Sequence, residues 1–582
     1  MIIKNKYSLI AGIFIALVFI SYRAGSVKFE RERPLELTTW DALGYYLYLP
    51  GIFIYHDVKK LEWFPKIDAK YSVSGGTIYQ AAKQKSGNYV FKYLGGVAIL
   101  EAPFFFAAHW LAPSLGFEAD GFSQPYQYAV AVAALVYFIL GLFVLRKVLL
   151  KYFDDFTTTI TLILMMLASN LVQYVSFDSA MSHAFIFPLY ALLLYFTIRW
   201  HEKPSVLWAS LIGFTIGLAC ISRPTEAVMI FIPLLWNMHT KEASKEKWSL
   251  VRRNLPQLAY LAFFGFLGLL PQLIYWKYAT GSFVFDVGSK WDFLLPHFRV
   301  LFWFENGWFI YTPVTLFFIA GLFFLKKFPF RKAVITFCLL NIYIIIAWHD
   351  WRYGATYSCR ALTQSYPVFA LPLAAFIHRF ISTKWKYLIY IAGAYFIFVN
   401  LFQISQYNKT ILHYRDMNRK YYCSIYLDPS PTPLDFSLLD TDEILKKESE
   451  FSSRTLFFSD AGIIISTPEY SEQNLFELDL ADSTNKTEGR ESWIKVEADL
   501  EITGNAWWGC YLNSELRSGD SAKHNRIRID RYLSGPGKRS EYAFFIRVPE
   551  DYKEGNFRIY FSSSPKFEGV LREMKITQYL QK

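Results

Sequence analysis

Apolar runs recur through the first two-thirds of the chain and stop after about Gln406. The first, Tyr7 to about Ser21, follows a short segment with two lysines and precedes no small-residue cleavage site. It is expected to be a retained transmembrane helix with its basic end inside. Later runs near 126–145, 157–176, 184–199, 206–222, 225–238, 257–277, 308–325, 333–348, 363–378 and 386–403 bring the count to about eleven crossings. Alternate loops hold Arg146/Lys147, Arg199/Lys203, Lys241 to Arg253, Lys326 to Lys332 and Arg379 to Lys386. All of these fall on the side of the N-terminus, as the positive-inside bias requires. The run from Lys92 to about Ala112 is apolar enough to cross. Counting it, however, would turn Arg146, Lys147 and Lys151 outward, so an outer interfacial helix is expected there.

Past Gln406, Thr455–Ser466, Trp493–Thr503, Glu541–Val548 and Asn556–Ser562 alternate partly with period two between Gly, Pro, Asn and Asp turns. This pattern suggests a β-sandwich of roughly 120–150 residues, with Trp507 and Trp508 expected in its core. The expected fold class is a polytopic α-helical membrane protein with a C-terminal extracytoplasmic all-β domain. The expected parts are 1–405, including an outer loop 22–125 with interfacial helices, and 406–582.

Composition agrees. The 582 residues are 53% hydrophobic and 19% aromatic, with a mean hydropathy of +0.20, too apolar for an ordinary soluble enzyme. The net charge of +11 calls for no nucleic acid, because the inner loops hold most of the surplus. The five cysteines form no CxxC or CxxH motif; Cys423 and Cys510 could pair in an oxidising compartment.

Candidate chemistry starts at Thr39–Pro50, a Tyr-rich apolar run headed by Asp41. Such a run suits the plane of a bilayer surface, and Asp41 is either an N-cap or a functional carboxylate there. The expected topology puts further charges on the same outer rim: Lys92, Asp178, His183, Arg223, Glu305, Asp350, Arg352 and Arg360. Single charges at helix ends snorkel, and that reading suffices for Asp286, Asp292 and His297. Together, mixed carboxylates and cations form a site for an anionic lipid headgroup and a polar acceptor. The chemistry that suits such a rim is glycosyl transfer from a lipid phosphate. A carboxylate takes the acceptor's proton and cations neutralise the departing phosphate.

Asp41, the Lys92-Tyr93-Leu94-Gly95 segment, Ser222-Arg223-Pro224, Gly307-Trp308-Phe309-Ile310-Tyr311-Thr312-Pro313 and the Trp351–Arg360 loop carry a resemblance to a known family. Over about residues 1–405 the chain resembles the GT-C superfamily of membrane glycosyltransferases. Within it, the chain is most similar to the bacterial branch of lipid A aminoarabinose, galacturonosyl and protein O-mannosyl transferases. The odd count of crossings puts the C-terminal domain outside, in the periplasm, and the resemblance implies a multi-pass protein of the bacterial inner membrane. It implies inverting transfer from a polyprenyl-phosphate sugar to a lipid, glycan or protein acceptor. Asp41 would stand at the base position and Lys92 at the donor phosphate. From the outer-rim charges, Arg360, Arg223 and Arg352 are expected to join Lys92 there, with Tyr45 and Tyr93 nearby. Relatives often place a metal-binding acid before that lysine. Here the residue is Phe91, which leaves Asp178 and His183 as weak candidates for an ion. Two other classes compete: a flippase of lipid-linked sugars, and a membrane scaffold that binds through its β-domain.

Overall fold

The computed structural model describes residues 5–29, 35–479, 491–504, 508–529, 537–549, 552 and 555–582. The chain divides into two compact units, Met1–Ile404 and Ser405–Lys582.

The first unit is helical wherever an apolar run was expected to cross, but helix length separates those runs. Five are continuous and long enough to span: Lys6–Ser26, Gln124–Leu150, Ser182–Glu202, Leu255–Thr280 and Lys386–Asn408. The others are shorter or interrupted. Asp155–Leu167 gives way to a separate turn at Gln173–Phe177, and the 308–325 run splits into Trp308–Tyr311 and Thr315–Gly321 around Pro313. Breaks of this kind free backbone groups, which must find partners inside the protein. At the first break Asn400 supplies them, donating to the carbonyls of Leu167 and Ser169 at 2.8 and 2.9 Å.

Glycine sets the closest helix pair. Gly213 and Gly217 of Val206–Cys220 face Gly265 and Gly268 of Leu255–Thr280, and an added Cβ on Gly213, Gly217 or Gly268 would run into the opposing backbone. Small residues at such seams let backbones approach without hydrophobic drive, as lipid-embedded helices require. The other side of Leu255–Thr280 exposes Tyr260, Phe263, Phe266 and Ile274, a surface suited to acyl chains.

The segment between the first two long helices differs from the expected outer loop. The first helix continues to Phe29, past the expected end of the apolar run near Ser21. The Asp41 run does not lie on a surface: it forms helices Trp40–Tyr46 and Tyr48–Phe53, whose residues Ala42–Gly51 are buried. Tyr46 packs on Phe105 and Phe122, and Tyr48 on Phe91 and Tyr275, so the tyrosines satisfy a protein core rather than a bilayer. The polar stretch after it holds the helix Phe64–Tyr71 and a hairpin of β1 (Ala81–Lys83) and β2 (Tyr89–Phe91).

The second unit is a two-sheet sandwich. Its strands are β3 (Phe451–Ser459), β4 (Ile463–Thr467), β5 (Ser471–Asp479), β6 (Ser492–Ile502), β7 (Cys510–Ser518), β8 (Ser521–Arg528), β9 (Arg539–Val548), β10 (Asn556–Ser563) and β11 (Phe567–Gln581). One sheet runs β5-β10-β7-β8; the other runs β3-β11-β6-β9, with β4 also on β11. Alternate residues such as Ile494, Val496, Leu512, Phe557, Ile559 and Ile576 fill the space between them. Trp508 is exposed, not core, and Trp507 lies outside the described residues. Cys423 and Cys510 are both free; Cys510 is buried and Cys423 exposed, so the disulfide is not made.

Candidate active site

Asp41 lies in the first turn of Trp40–Tyr46 but caps nothing. The N-cap is Thr39, and Trp40 takes a left-handed φ of 51° between them. That conformation is costly for a bulky residue and persists only where surroundings hold it. Here the Trp40 carbonyl accepts from Gln80 at 2.9 Å, and its ring lies over Gly75. The result turns the Asp41 carboxylate inward. One oxygen accepts from the Tyr79 and Tyr93 hydroxyls at 2.8 and 2.6 Å, and the other from Arg360 Nη2 at 2.7 Å.

Burial alone would raise the Asp41 carboxyl. The Arg360 charge and the two phenol hydrogen bonds outweigh it and hold the group below the ordinary carboxylate range. Burial, then the Asp41 charge, pushes both phenols well up, so they stay protonated donors.

The hairpin delivers the next two residues. Lys92 N–H continues the β1–β2 ladder by donating to Gln80, and Tyr93 follows it toward Asp41. Two glycines make this fit. Gly44 lies against the Tyr93 ring, where any Cβ would overlap it, and Gly96 packs directly on Ser222 and donates to the Ile221 carbonyl at 2.8 Å. The second contact joins the Lys92–Gly96 segment to the helix end that carries Arg223. Gly44→Val is expected to displace Tyr93 from Asp41. It should lower stability by about 1–3 kcal/mol, the usual cost of overpacking. Thermal unfolding in detergent checks this; Tyr93→Phe, which removes only the hydroxyl, should cost less.

Arg360 comes from the far end of the chain. Its loop is fixed by Tyr174, which accepts from Tyr357 N–H at 2.9 Å and meets Thr356 Oγ1 at 2.9 Å. Thr312 Oγ1 meets Ser358 Oγ at 2.9 Å, and Trp308 Nε1 donates to Tyr366 at 2.9 Å. The Gly307–Pro313 segment therefore supports the Arg360 loop and does not reach the cleft itself.

The cleft so formed has a volume of about 650 Å³. Asp41, Tyr45, Tyr93 and Arg360 form one wall, and Lys92, Arg223 and Asp350 lie around them. Neither the Lys92 amine nor the Arg223 guanidinium has an ion-pair or hydrogen-bond partner among the described residues. Pro224, Thr225, Trp291 and Ile344 are shared with an adjoining apolar groove that runs to Phe231, Phe293 and Leu340.

Four expected residues lie elsewhere. Arg352 and Glu305 pair with each other at 3.3 Å. Asp178 is bonded to Gln173 at 3.1 Å, and His183 Nδ1 meets Gln364 Oε1 at 2.7 Å. Asp178 and His183 thus have other partners, and no three metal-ligating side chains converge among the described residues. The donor set does not fit a divalent ion.

Sequence reasoning missed Tyr79, Trp291, Trp348 and Tyr353 in the lining. It also missed the buried Glu226, on which the Arg223 charge acts. Glu226 is held by Tyr190 and by Gln364, the latter at 3.0 Å. Tyr79 carries no local signal, since its role arises from a contact 38 residues away.

The chain matches no protein-family model and no curated protein. Among solved structures it is similar to the oligosaccharyltransferase of Archaeoglobus fulgidus in the apo form, with 11% identity and a TM-score of 0.42 over 73% of this chain and 58% of that one. It is also similar to the A. fulgidus oligosaccharyltransferase AglB in complex with an inhibitory peptide and a dolichol-phosphate, with 11% identity and a TM-score of 0.39 over 76% and 61%. A third is the arabinosyltransferase EmbB of Mycobacterium smegmatis, with 12% identity and a TM-score of 0.28 over 82% and 59%. The chain spans about three fifths of the length of these structures. Overlaps at this level assign neither a family nor an activity to it.

Proposed function

We propose that the protein is a membrane glycosyltransferase of the GT-C type that moves a sugar from a polyprenyl-phosphate donor to a polar acceptor. The observation that carries this reading is the presence in one cleft of a fixed, ionised carboxylate and two cations that make no ion pair or hydrogen bond among the described residues, beside an apolar groove. The groove takes the lipid chain, and Lys92 and Arg223 take its phosphate. An acceptor hydroxyl bonds to Asp41 and attacks the anomeric carbon from the face opposite the phosphate. The new C–O bond forms as the bond to the phosphate oxygen breaks. Its electron pair goes to the phosphate, the hydroxyl proton goes to Asp41, and the anomeric centre inverts. Arg360 holds Asp41 ionised before the acceptor arrives. Under this reading about eleven segments cross the membrane, and the β-sandwich follows on the outer side, where it binds acceptor.

The test is transfer by purified protein from polyprenyl-phosphate sugars to a panel of lipid, glycan and peptide acceptors, with product stereochemistry read by NMR. Inverted product with release of polyprenyl phosphate supports the reading. Movement of intact lipid-linked sugar across vesicles without transfer would make the protein a flippase and sink it.

A further inference from the structure

A second polar cavity, of about 660 Å³, lies at the other end of the membrane helices. Helix Ser182–Glu202 starts beside the cleft, and His183 and His201 on it are separated by roughly 27 Å of helical rise. That is close to the thickness of a hydrocarbon core. The cavity lies between the end of this helix and the amphipathic helix Lys241–Arg253, whose N-cap Thr240 accepts from Ala243 at 3.1 Å.

The lining is basic. It includes Lys245, Lys247 and Arg253 against the single acid Glu246, with the imidazoles of His201 and His239 beside them. Lys247 is 4% exposed and donates two of its three N–H groups to the carbonyls of Pro233 and Leu234, both at 2.6 Å. The third remains for a ligand. Burial pushes this amine down to about 7, a cost that an incoming anion relieves. His239 Nδ1 is buried without a partner among the described residues. His201 Nδ1 donates to the Thr197 carbonyl at 2.8 Å, so in the neutral imidazole its buried, unpartnered Nε2 is an acceptor, suited to a headgroup hydroxyl. Buried polar atoms are rarely left so unless something outside the chain completes them.

We propose that this pocket binds a phosphate group, supplied by the headgroup of an anionic phospholipid in the leaflet against which Lys241–Arg253 lies. A lipid is favoured over a soluble anion because Trp248 on that helix is 43% exposed, as are Leu234 at 41% and Leu255 at 56% on the flanking helices. These are apolar surfaces for acyl chains next to a basic pocket, the arrangement by which membrane proteins hold acidic lipids. The site is independent of the transfer reaction, since it shares no residue with the cleft.

Full-length protein in nanodiscs of mixed phosphatidylcholine and phosphatidylglycerol tests this, with retained lipid counted by native mass spectrometry. The wild type should retain phosphatidylglycerol in preference to phosphatidylcholine. In Lys245→Ala/Arg253→Ala that preference should fall roughly tenfold or more, as expected for two lost cations. Lys245→Gln alone, at an exposed position, should show a smaller loss in the same direction if the double variant does not fold. Equal retention in wild type and Lys245→Gln would overturn the pocket. Inorganic phosphate that raises the unfolding temperature, with phosphatidylglycerol retained no better than phosphatidylcholine, would overturn the lipid assignment and make the source soluble.

Discussion

Asp41→Asn should yield an inserted, folded protein whose sugar transfer falls by roughly 10²–10⁴, the usual share of general acid–base catalysis. The substitution keeps the shape of the side chain and both phenol partners, while removing the charge and the proton acceptor. It also leaves Arg360 without its counter-ion in a site where the arginine side chain is 14% exposed and Asp41 26%. The pair lies between surface and interior, so its loss should cost about 1–3 kcal/mol. The pH dependence separates this cost from a general defect. The folded Asp41 carboxyl lies below its unfolded value of about 3.9, so the pair's contribution is complete above that value and lost as pH falls through the folded one. The unfolding-temperature gap between wild type and Asp41→Asn should therefore stay constant through neutral pH and close only below about pH 4. Wild-type turnover in the variant would reduce Asp41 to a counter-ion for Arg360.

Lys92→Ala and Arg223→Ala should each reduce turnover by roughly 10²–10³, as removal of one preorganised donor to a developing charge does. The expected effect lies in both KM and kcat. The donor phosphate is bound in the ground state and gains charge as the glycosidic bond breaks, so the same contact serves both. Lys92 is exposed and Arg223 half-buried, and neither has an ion-pair partner among the described residues. Removal of Lys92 should leave the unfolding temperature unchanged, whereas removal of Arg223, whose charge acts on the buried Glu226, should lower it. Steady-state kinetics with a short-chain polyprenyl-phosphate sugar gives the check. A change in KM for acceptor, with donor kinetics intact, would move both residues away from the phosphate.

Some of this architecture can be read from local pattern. The apolar runs are helices because a chain in an apolar surrounding must satisfy its own backbone, and the end of those runs at Gln406 lies two residues past the boundary between the two compact units. Period-two alternation marked β6, β9 and β10, whose inward residues fill the sandwich core. β7 and β8 were not expected: β8, with the sequence Ser-Ala-Lys-His-Asn-Arg-Ile-Arg, lies at a sheet edge and is too polar to signal a strand.

The cleft is a different matter. The chain pattern singled out Asp41, Lys92, Arg223 and Arg360 as charges at the ends of apolar runs, which is a one-dimensional property. It could not say that Asp41 meets Arg360 across 319 residues, nor that Arg352 and Glu305 turn to each other instead. The Asp41 cluster depends on close approaches that two missing Cβ atoms permit: Gly44 under the Tyr93 ring and Gly96 against Ser222. The Tyr-rich run shows the same limit. Its composition suits a bilayer surface as well as a protein interior, and only the neighbouring Phe105, Phe122 and Tyr275 made it core. Periodicity and charge placement are local, so the sequence by itself determined which segments are helices or strands and which ends carry charge. Ion pairing falls off within a few ångströms and depends on how distant segments pack, so only the tertiary structure decided which charges share a site.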